Sequence, residues 1–299
     1  MIELTMPYKE KASNGIVIKS FINDFEQNID WESVNSFGNE WARFNSFNEH
    51  EIVLIGNDYF DLVKSDILNP ESTVALDVGC GSGRWDKFLS ERVKFIEAID
   101  PSKSAFIAAN YLKEHKNIRV SQASVDNIPF PDNTFDFVFS LGVLHHLPDT
   151  ESAITNCYNK LKSKGWFLIY LYYNLENRNF ILKGLFYTSS LMRILISRMP
   201  QKIKIIICDL IAIFVYFPLA KSAKFISLVS TKLSRQIPLN YYSKTSFTIM
   251  RNDALDRFGT PLEKRFSKAD IENMLIKAGF KNITFSDNAP YWHAIAQKV

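Results

Sequence analysis

Cysteine is scarce in this chain of 299 residues: Cys80, Cys157 and Cys208 are far apart, odd in number, and form no CxxC pair. That excludes a disulfide framework and gives no zinc-ligand spacing, so no metal is expected and a reducing compartment fits best. Neither sign of charge dominates. The 35 Lys and Arg against 32 Asp and Glu leave a formal charge of +3, which does not mark a nucleic-acid binder. Internal repeats and low-complexity tracts are missing. Met1 to Ser20 has no long apolar run behind a basic start, so no signal peptide is expected and the cytoplasm is the expected location. A hydrophobic fraction of 46% is ample for a core, and the length suits one large domain or a domain with an insert.

What is present is a rhythm. Residues 1–30 read as an arm or short helix. Trp31, Phe37, Trp41, Phe44 and Phe47 then crowd together, with Phe37, Trp41 and Phe44 on one helical face, and Glu51 to Leu68 reads as an amphipathic helix. From Thr73, short apolar runs predicted as strands (Thr73–Leu76, Phe95–Ile99, Ile118–Ser121, Phe135–Ser140, Gly165–Tyr172) alternate with helical patterns. Those helices are predicted at Arg84–Arg92, Ser102–Glu114 with Ser102 as N-cap, and Thr150–Leu161. A last helix, Ser267–Gly279, precedes two strands, Asn282–Ser286 and Trp292–Gln297, close enough to pair antiparallel. The expected fold is α/β: a doubly wound, mostly parallel, seven-stranded sheet with an antiparallel edge hairpin and a helical insert. Four regions follow: a helical, aromatic cover segment (1–70), a nucleotide-binding core (71–174), a basic and apolar insert (175–265), and a closing helix with edge strands (266–299).

The strongest local signal is Asp77-Val-Gly79-Cys80-Gly81-Ser-Gly83 between a strand and a helix. Alternating glycines let the backbone approach a ligand and reach positive φ, and the helix N-terminus behind them favours negative groups. A dinucleotide loop would read GxGxxG. Here the third glycine comes one residue early, and Arg84 takes its place. Asp77 would repel a pyrophosphate and suits an ammonium group. Asp100, at the end of the next strand, can accept ribose hydroxyls, with Pro101 behind it.

The Asp77–Gly83 run resembles motif I of class I S-adenosylmethionine-dependent methyltransferases. Ile128-Pro-Phe-Pro-Asp-Asn-Thr-Phe-Asp136 and Leu141-Gly-Val-Leu-His145-His146-Leu-Pro-Asp149 resemble two further segments of the small-molecule, type-11-like branch. The resemblance covers roughly residues 72–172 and the closing helix and strands. It implies S-adenosylmethionine as cofactor, leaving as S-adenosylhomocysteine. It implies that Gly79, Cys80, Gly81 and Gly83 line its methionine and ribose, that Asp77 faces its amino group, and that Asp100 holds the ribose. The adenine segment departs from the family's GDA form: Ala123-Ser124-Val125 stands there, so Ser124, Val125 through its backbone, and Asp126 are the candidates. Leu141 and His146 would border the cofactor.

His145 and His146 follow the fourth core strand, where the transferred methyl group should lie. Either is a candidate general base, or a residue that only caps the loop or contacts the cofactor. Asp149 reads as a helix N-cap. Trp41, Arg43 and Phe44 are candidates for a cover over cofactor or substrate, Arg43 on the substrate side; Trp85 walls the methionine or packs beneath the sheet. Arg257, Arg265 and Tyr291 are candidates for substrate binding, with ion pairing and edge packing as the alternatives.

The insert is rich in Lys183, Arg193, Arg198, Lys202, Lys204, Lys221, Lys224, Lys232 and Arg235, with Asp209 its single acid over residues 180–235. Ile203–Phe217 is nearly all apolar. It falls short of the roughly 20 residues of a membrane span, carries Asp209 and meets Pro218. A helical cap over an acceptor pocket is expected, with peripheral contact at an anionic inner-membrane face as the second reading. The charge suits an anionic small-molecule acceptor such as a phosphorylated or lipid-linked sugar, and no nucleic acid. The competing functions are an NAD-dependent oxidoreductase and a non-catalytic cofactor-binding subunit.

Overall fold

The computed structural model describes residues 2–23, 26–44, 48–176, 180–234 and 237–299; Phe47 and Arg235, singled out above, lie outside them. In chain order the elements are β1 (Lys9–Ser13), β2 (Ile16–Ser20), α1 (Trp31–Arg43), α2 (Glu49–Tyr59), β3 (Val74–Val78), α3 (Arg84–Leu89), β4 (Phe95–Ile99), α4 (Ser104–Tyr111), β5 (Ile118–Gln122) and β6 (Phe135–Leu141). They continue with α5 (Thr150–Lys160), β7 (Leu161–Tyr170), α6 (Phe180–Ser197), α7 (Gln201–Ile211), α8 (Phe217–Ser227), α9 (Thr231–Ser234), α10 (Phe247–Gly259), α11 (Lys268–Ala278), β8 (Phe280–Phe285) and β9 (His293–Lys298).

The chain divides into two compact units. One comprises residues up to Glu176 and from Leu262 on, the other residues 177–261. The first is a mixed α/β unit whose sheet runs β1-β2-β5-β4-β3-β6-β7-β9-β8. From β5 to β7 the strands are parallel, and β9 and β8 close the edge antiparallel. The strands are apolar because both faces are covered: Leu76, Ile96, Phe137, Val138, Phe139, Phe167 and Leu168 are fully buried. Strand order reverses between β3 and β6, so the loops leaving them diverge and open a crevice at the carboxyl ends.

Nine strands form the sheet where seven were expected. The two additional ones come from the segment read as an arm. Asn14 (φ +50°) and Gly15 (φ +80°) make the two-residue turn between β1 and β2, a conformation that Asn-Gly favours and that matches strand twist. β2 then pairs parallel with β5. The helix read from Glu51 to Leu68 ends at Tyr59, and the one after β3 at Leu89. The cap position of α4 is Lys103, one residue later than expected, and Lys103 makes no side-chain cap; Ser102 still serves the helix start, its Oγ accepting Ser104 N at 3.0 Å while its hydroxyl donates to Asp100 Oδ1 at 2.6 Å. Asp149 does cap α5, accepting from Ser152 N, and Gly279 ends α11 at φ +101°.

The second unit is helical. α7, a π-helical turn at Ala212–Tyr216 and α8 form one continuous helix, Gln201–Ser227, of 27 residues. This corrects the sequence reading: the helix does not stop at Pro218. Pro218 lacks an N–H, and the wider π turn before it re-spaces the carbonyl its ring would otherwise strike. By length and composition this helix is long and apolar enough to cross a membrane. Its inward residues Cys208, Ala212, Tyr216, Ala220 and Ala223 are buried. It is tied to α10 by the Asp209–Arg251 ion pair at 2.9 Å and by Lys204 Nζ donating to the Gly259 carbonyl at 2.9 Å.

Candidate functional site

The loop after β3 is built by glycines in the left-handed region: Gly79, Gly81 and Gly83 have φ of +88°, +54° and +83°. Space matters as much as conformation. A Cβ on Gly79 would stand 2.5 Å from Val143 Cγ1, one on Gly81 3.0 Å from Trp41 Nε1, and one on Gly83 2.6 Å from Leu112 Cδ1. The loop therefore lies against the β6 loop, α1 and α4. Asp100 locks it: its Oδ2 accepts Gly81 N at 3.0 Å, and its Oδ1 accepts Ser102 N, Ser102 Oγ and Ser104 Oγ at 2.6–2.8 Å. The carboxylate expected to hold a ribose is thus also the group that organises the glycine turn and the start of α4. Pro101 supplies a carbonyl to Gln122 Nε2 at 3.0 Å.

Asp77 is 2% exposed, and beside it Asp86, in the first turn of α3, is fully buried, the two carboxyls close enough to share a hydrogen bond when Asp77 is protonated. Burial, then Asp86, then Asp100 push the Asp77 carboxyl well above the usual carboxylate range, and burial raises Asp86 also. Three acids around one loop call for a cation. The ammonium and sulfonium of S-adenosylmethionine meet that demand, whereas a dinucleotide pyrophosphate would add to the negative charge. The residues present fit this cofactor. Ser124 is buried with its hydroxyl unpartnered, a fitting contact for adenine, beside the buried Val125. Asp126 instead receives Asn28 N at 3.0 Å and Asn156 Nδ2 at 3.4 Å, so it anchors the segment leading into α1. Leu141 closes β6 with 9% exposure.

α1 covers the glycine loop with a partly buried Trp41, over which the Arg84 guanidinium lies at 5.1 Å; Arg84 also lies 4.5 Å from Trp85. Trp85 is buried against Tyr59 and Phe60. Arg43 is exposed and stands 5.5 Å from the Phe44 ring. Phe37 reaches the histidine pair, its ring 4.7 Å from that of His146.

The two histidines differ. His145 is fully buried between His146 (4.0 Å) and Tyr172 (3.9 Å), and neither ring nitrogen has a hydrogen bond. Burial first, then His146 and Arg265, hold its pKa well below the ordinary 6.5. His146 is 5% exposed, and its Nδ1 lies 2.6 Å from the Leu262 carbonyl. A carbonyl only accepts, so Nδ1 carries the proton and Nε2 is the basic atom of the neutral ring. Of the pair, His146 is the ring whose proton is placed by a hydrogen bond. Arg265 lies 5.1 Å from the Tyr172 ring, held by Glu263 at 2.9 Å and the Tyr173 carbonyl at 3.1 Å. Tyr291, in the loop before β9, packs on Tyr173 and Trp292. Arg257 belongs to the helical unit, donating to Ser189 and Ser190 of α6. Asp86 and Tyr172 escaped the sequence reading; Asp86 had a signal, being an acid in the first turn behind the glycine loop.

The neutral His145 has a consequence for stability. Its folded pKa is depressed, so below about pH 6.5 the unfolded chain binds a proton there that the folded chain does not. The contribution of His145 to stability is therefore fully present above that pH and is lost as acid is added through it. His145→Phe is expected to flatten part of this fall in thermal unfolding between neutral and mildly acidic buffer. An unchanged acid slope would contradict the buried, uncharged ring.

The sheet order and this loop are similar to those of class I, S-adenosylmethionine-dependent methyltransferases. Residues 76–169 match the family model described as a methyltransferase domain, of the type-11 kind. The chain is 27% identical over 134 residues to the uncharacterized methyltransferase YcgJ of Bacillus subtilis (strain 168), covering 44% of this chain and 53% of that one. It is 36% identical over 101 residues to phosphoethanolamine N-methyltransferase 2 of Caenorhabditis elegans, covering 32% and 23%. A solved chain described as a methyltransferase, from a Haloferax volcanii complex with the Trm112 methyltransferase activator, is 12% identical with a TM-score of 0.50 over 88% of this chain and 98% of that chain, and shows the fold alone. The matches span about half the length of these curated relatives or less.

Proposed function

We propose that the chain is a methyltransferase that moves the methyl group of S-adenosylmethionine to a small-molecule acceptor. Supporting this above all is one juxtaposition: an acid-lined glycine loop and a histidine with a basic Nε2, both at the carboxyl ends of β3 and β6. Gly79, Cys80, Gly81 and Gly83 would cradle the cofactor, Asp77 would meet its ammonium, Asp100 its ribose, and Ser124 and Val125 its adenine. When bound, the cofactor supplies an electrophilic methyl group on a sulfonium. The chain's own residues orient the acceptor, exclude water and remove a proton. His146 Nε2 takes the proton from the attacking hydroxyl or amine, and the Leu262 carbonyl steadies the imidazolium through Nδ1–H. Phe37 and Trp41 of α1 keep the site dry.

The acceptor is proposed to be anionic, an acidic or lipid-linked sugar, from the excess of lysine and arginine in residues 180–234. Arg265, engaged by Glu263, would shape the acceptor's surroundings more than carry its charge. A cytoplasmic setting suits three buried cysteines that form no disulfide among the described residues.

Calorimetric titration tests the reading. Binding of S-adenosylmethionine and S-adenosylhomocysteine with no response to NAD is expected. A response to NAD alone would favour an oxidoreductase, and cofactor binding without turnover on any screened acceptor a non-catalytic subunit.

A further inference from the structure

The helical unit leaves an apolar face uncovered. Along the Gln201–Ser227 helix, Ile206, Leu210, Ile213, Phe214 and Phe217 recur at helical spacing and are all exposed, Phe214 to 72%. The stripe is bracketed by exposed lysines on the same face: Lys202 one turn before it, Lys221 and Lys224 one and two turns after it. Lys221 Nζ lies 5.2 Å from the Phe217 ring. Beyond the helix end, Leu228 and Val229 are 81% and 85% exposed. α6 carries a second exposed row, Tyr187, Leu191 and Leu195, at i, i+4 and i+8.

Three features narrow the occupant. The opposite side of the helix is committed to protein, through its buried Cys208, Ala212, Tyr216, Ala220 and Ala223 and the Asp209–Arg251 pair, so only one face is offered. Asp209 is the single acid from Phe180 to Ser234 and is ion-paired. Lys204 and Arg193 point inward to backbone carbonyls, whereas Arg198, Lys202, Lys221, Lys224 and Lys232 are exposed. An apolar stripe between lysines is the pattern of a helix lying in a lipid interface, its rings among acyl chains and its ammonium groups at anionic headgroups. A second copy docked on the same face would set like-charged lysines against each other.

We propose that this face of residues 201–229 is a docking surface for an anionic lipid bilayer, holding the chain peripherally. The inference stands independently of the methyltransferase reading. The test is co-sedimentation of the full chain with vesicles of phosphatidylcholine mixed with phosphatidylglycerol, and with vesicles of phosphatidylcholine alone. Binding to the mixed vesicles, weakened by added salt, is expected. Lys221→Glu with Lys224→Glu should lower partitioning by about tenfold or more, and Phe214→Ser should lower it also. All three positions are exposed, so far-ultraviolet circular dichroism should remain that of the parent. Failure to bind the mixed vesicles, equal binding to pure phosphatidylcholine, or variants that bind like the parent would each overturn the proposal. So would dimerisation by light scattering without vesicle binding, which would assign the face to a second copy. Retention after an alkaline carbonate wash would make the helix a membrane span instead.

Discussion

Gly81→Val is expected to abolish S-adenosylmethionine binding in calorimetry while leaving a folded protein. Gly81 sits at φ +54°, and its missing Cβ is 3.0 Å from Trp41 Nε1. A left-handed conformation costs an ordinary residue about 1–2 kcal/mol, and a β-branched one more. Valine would also push its methyl groups toward the α1 cover and pull the Gly81 N–H off Asp100. Each 1.4 kcal/mol is tenfold in affinity, so strain, steric exclusion and the loss of the lock together take binding out of measurable range. Asp100→Ala tests the lock separately. It removes one acceptor serving four donors, and affinity should fall by about 1–3 kcal/mol. Normal binding by both variants would overturn the cofactor assignment.

The glycine loop was legible because its constraint is local: Asp77, three glycines and a following helix all lie within one short segment. The parallel core was legible for the same reason, since buried strands must be apolar and must alternate with helices. The misses have separate physical origins. The β1–β2 hairpin announced itself only in Asn14-Gly15, because β1 is exposed and polar and has no apolar alternation to read. Ser102 was read one residue off the cap position, since its hydroxyl does two things at once, accepting the Ser104 N–H and donating to Asp100, and only the first is legible in sequence. Pro218 looked like a stop because sequence does not reveal a π turn placed before it. The histidine pair was legible as a pair but not by role. Which ring is buried, and which holds a carbonyl 116 residues away, depends on a contact from Leu262 that no local pattern encodes.

His146→Ala is expected to lower turnover by about 10²–10⁴-fold with cofactor affinity unchanged. The argument starts from the tautomer. Leu262 O fixes the proton on Nδ1 at 2.6 Å, leaving Nε2 as the ring's base. The Phe37 ring at 4.7 Å and the His145 ring at 4.0 Å hold the imidazole in place, so the base is positioned before the acceptor arrives. His145 stays uncharged, so no second positive charge on the adjoining ring opposes protonation of His146. A merely structural histidine would act through its bond to Leu262, and His146→Asn separates the two roles. Its amide N–H can still donate to the carbonyl, but it offers no basic nitrogen. If His146 is the base, the Asn variant stays as slow as the Ala variant and both lose the acidic limb of the pH profile of kcat/KM. If Asn restores turnover, the histidine only holds the Leu262 segment and proton removal belongs to another group. If Ala and Asn both bind the cofactor weakly yet turn over normally at saturation, His146 borders the cofactor and takes no part in proton transfer.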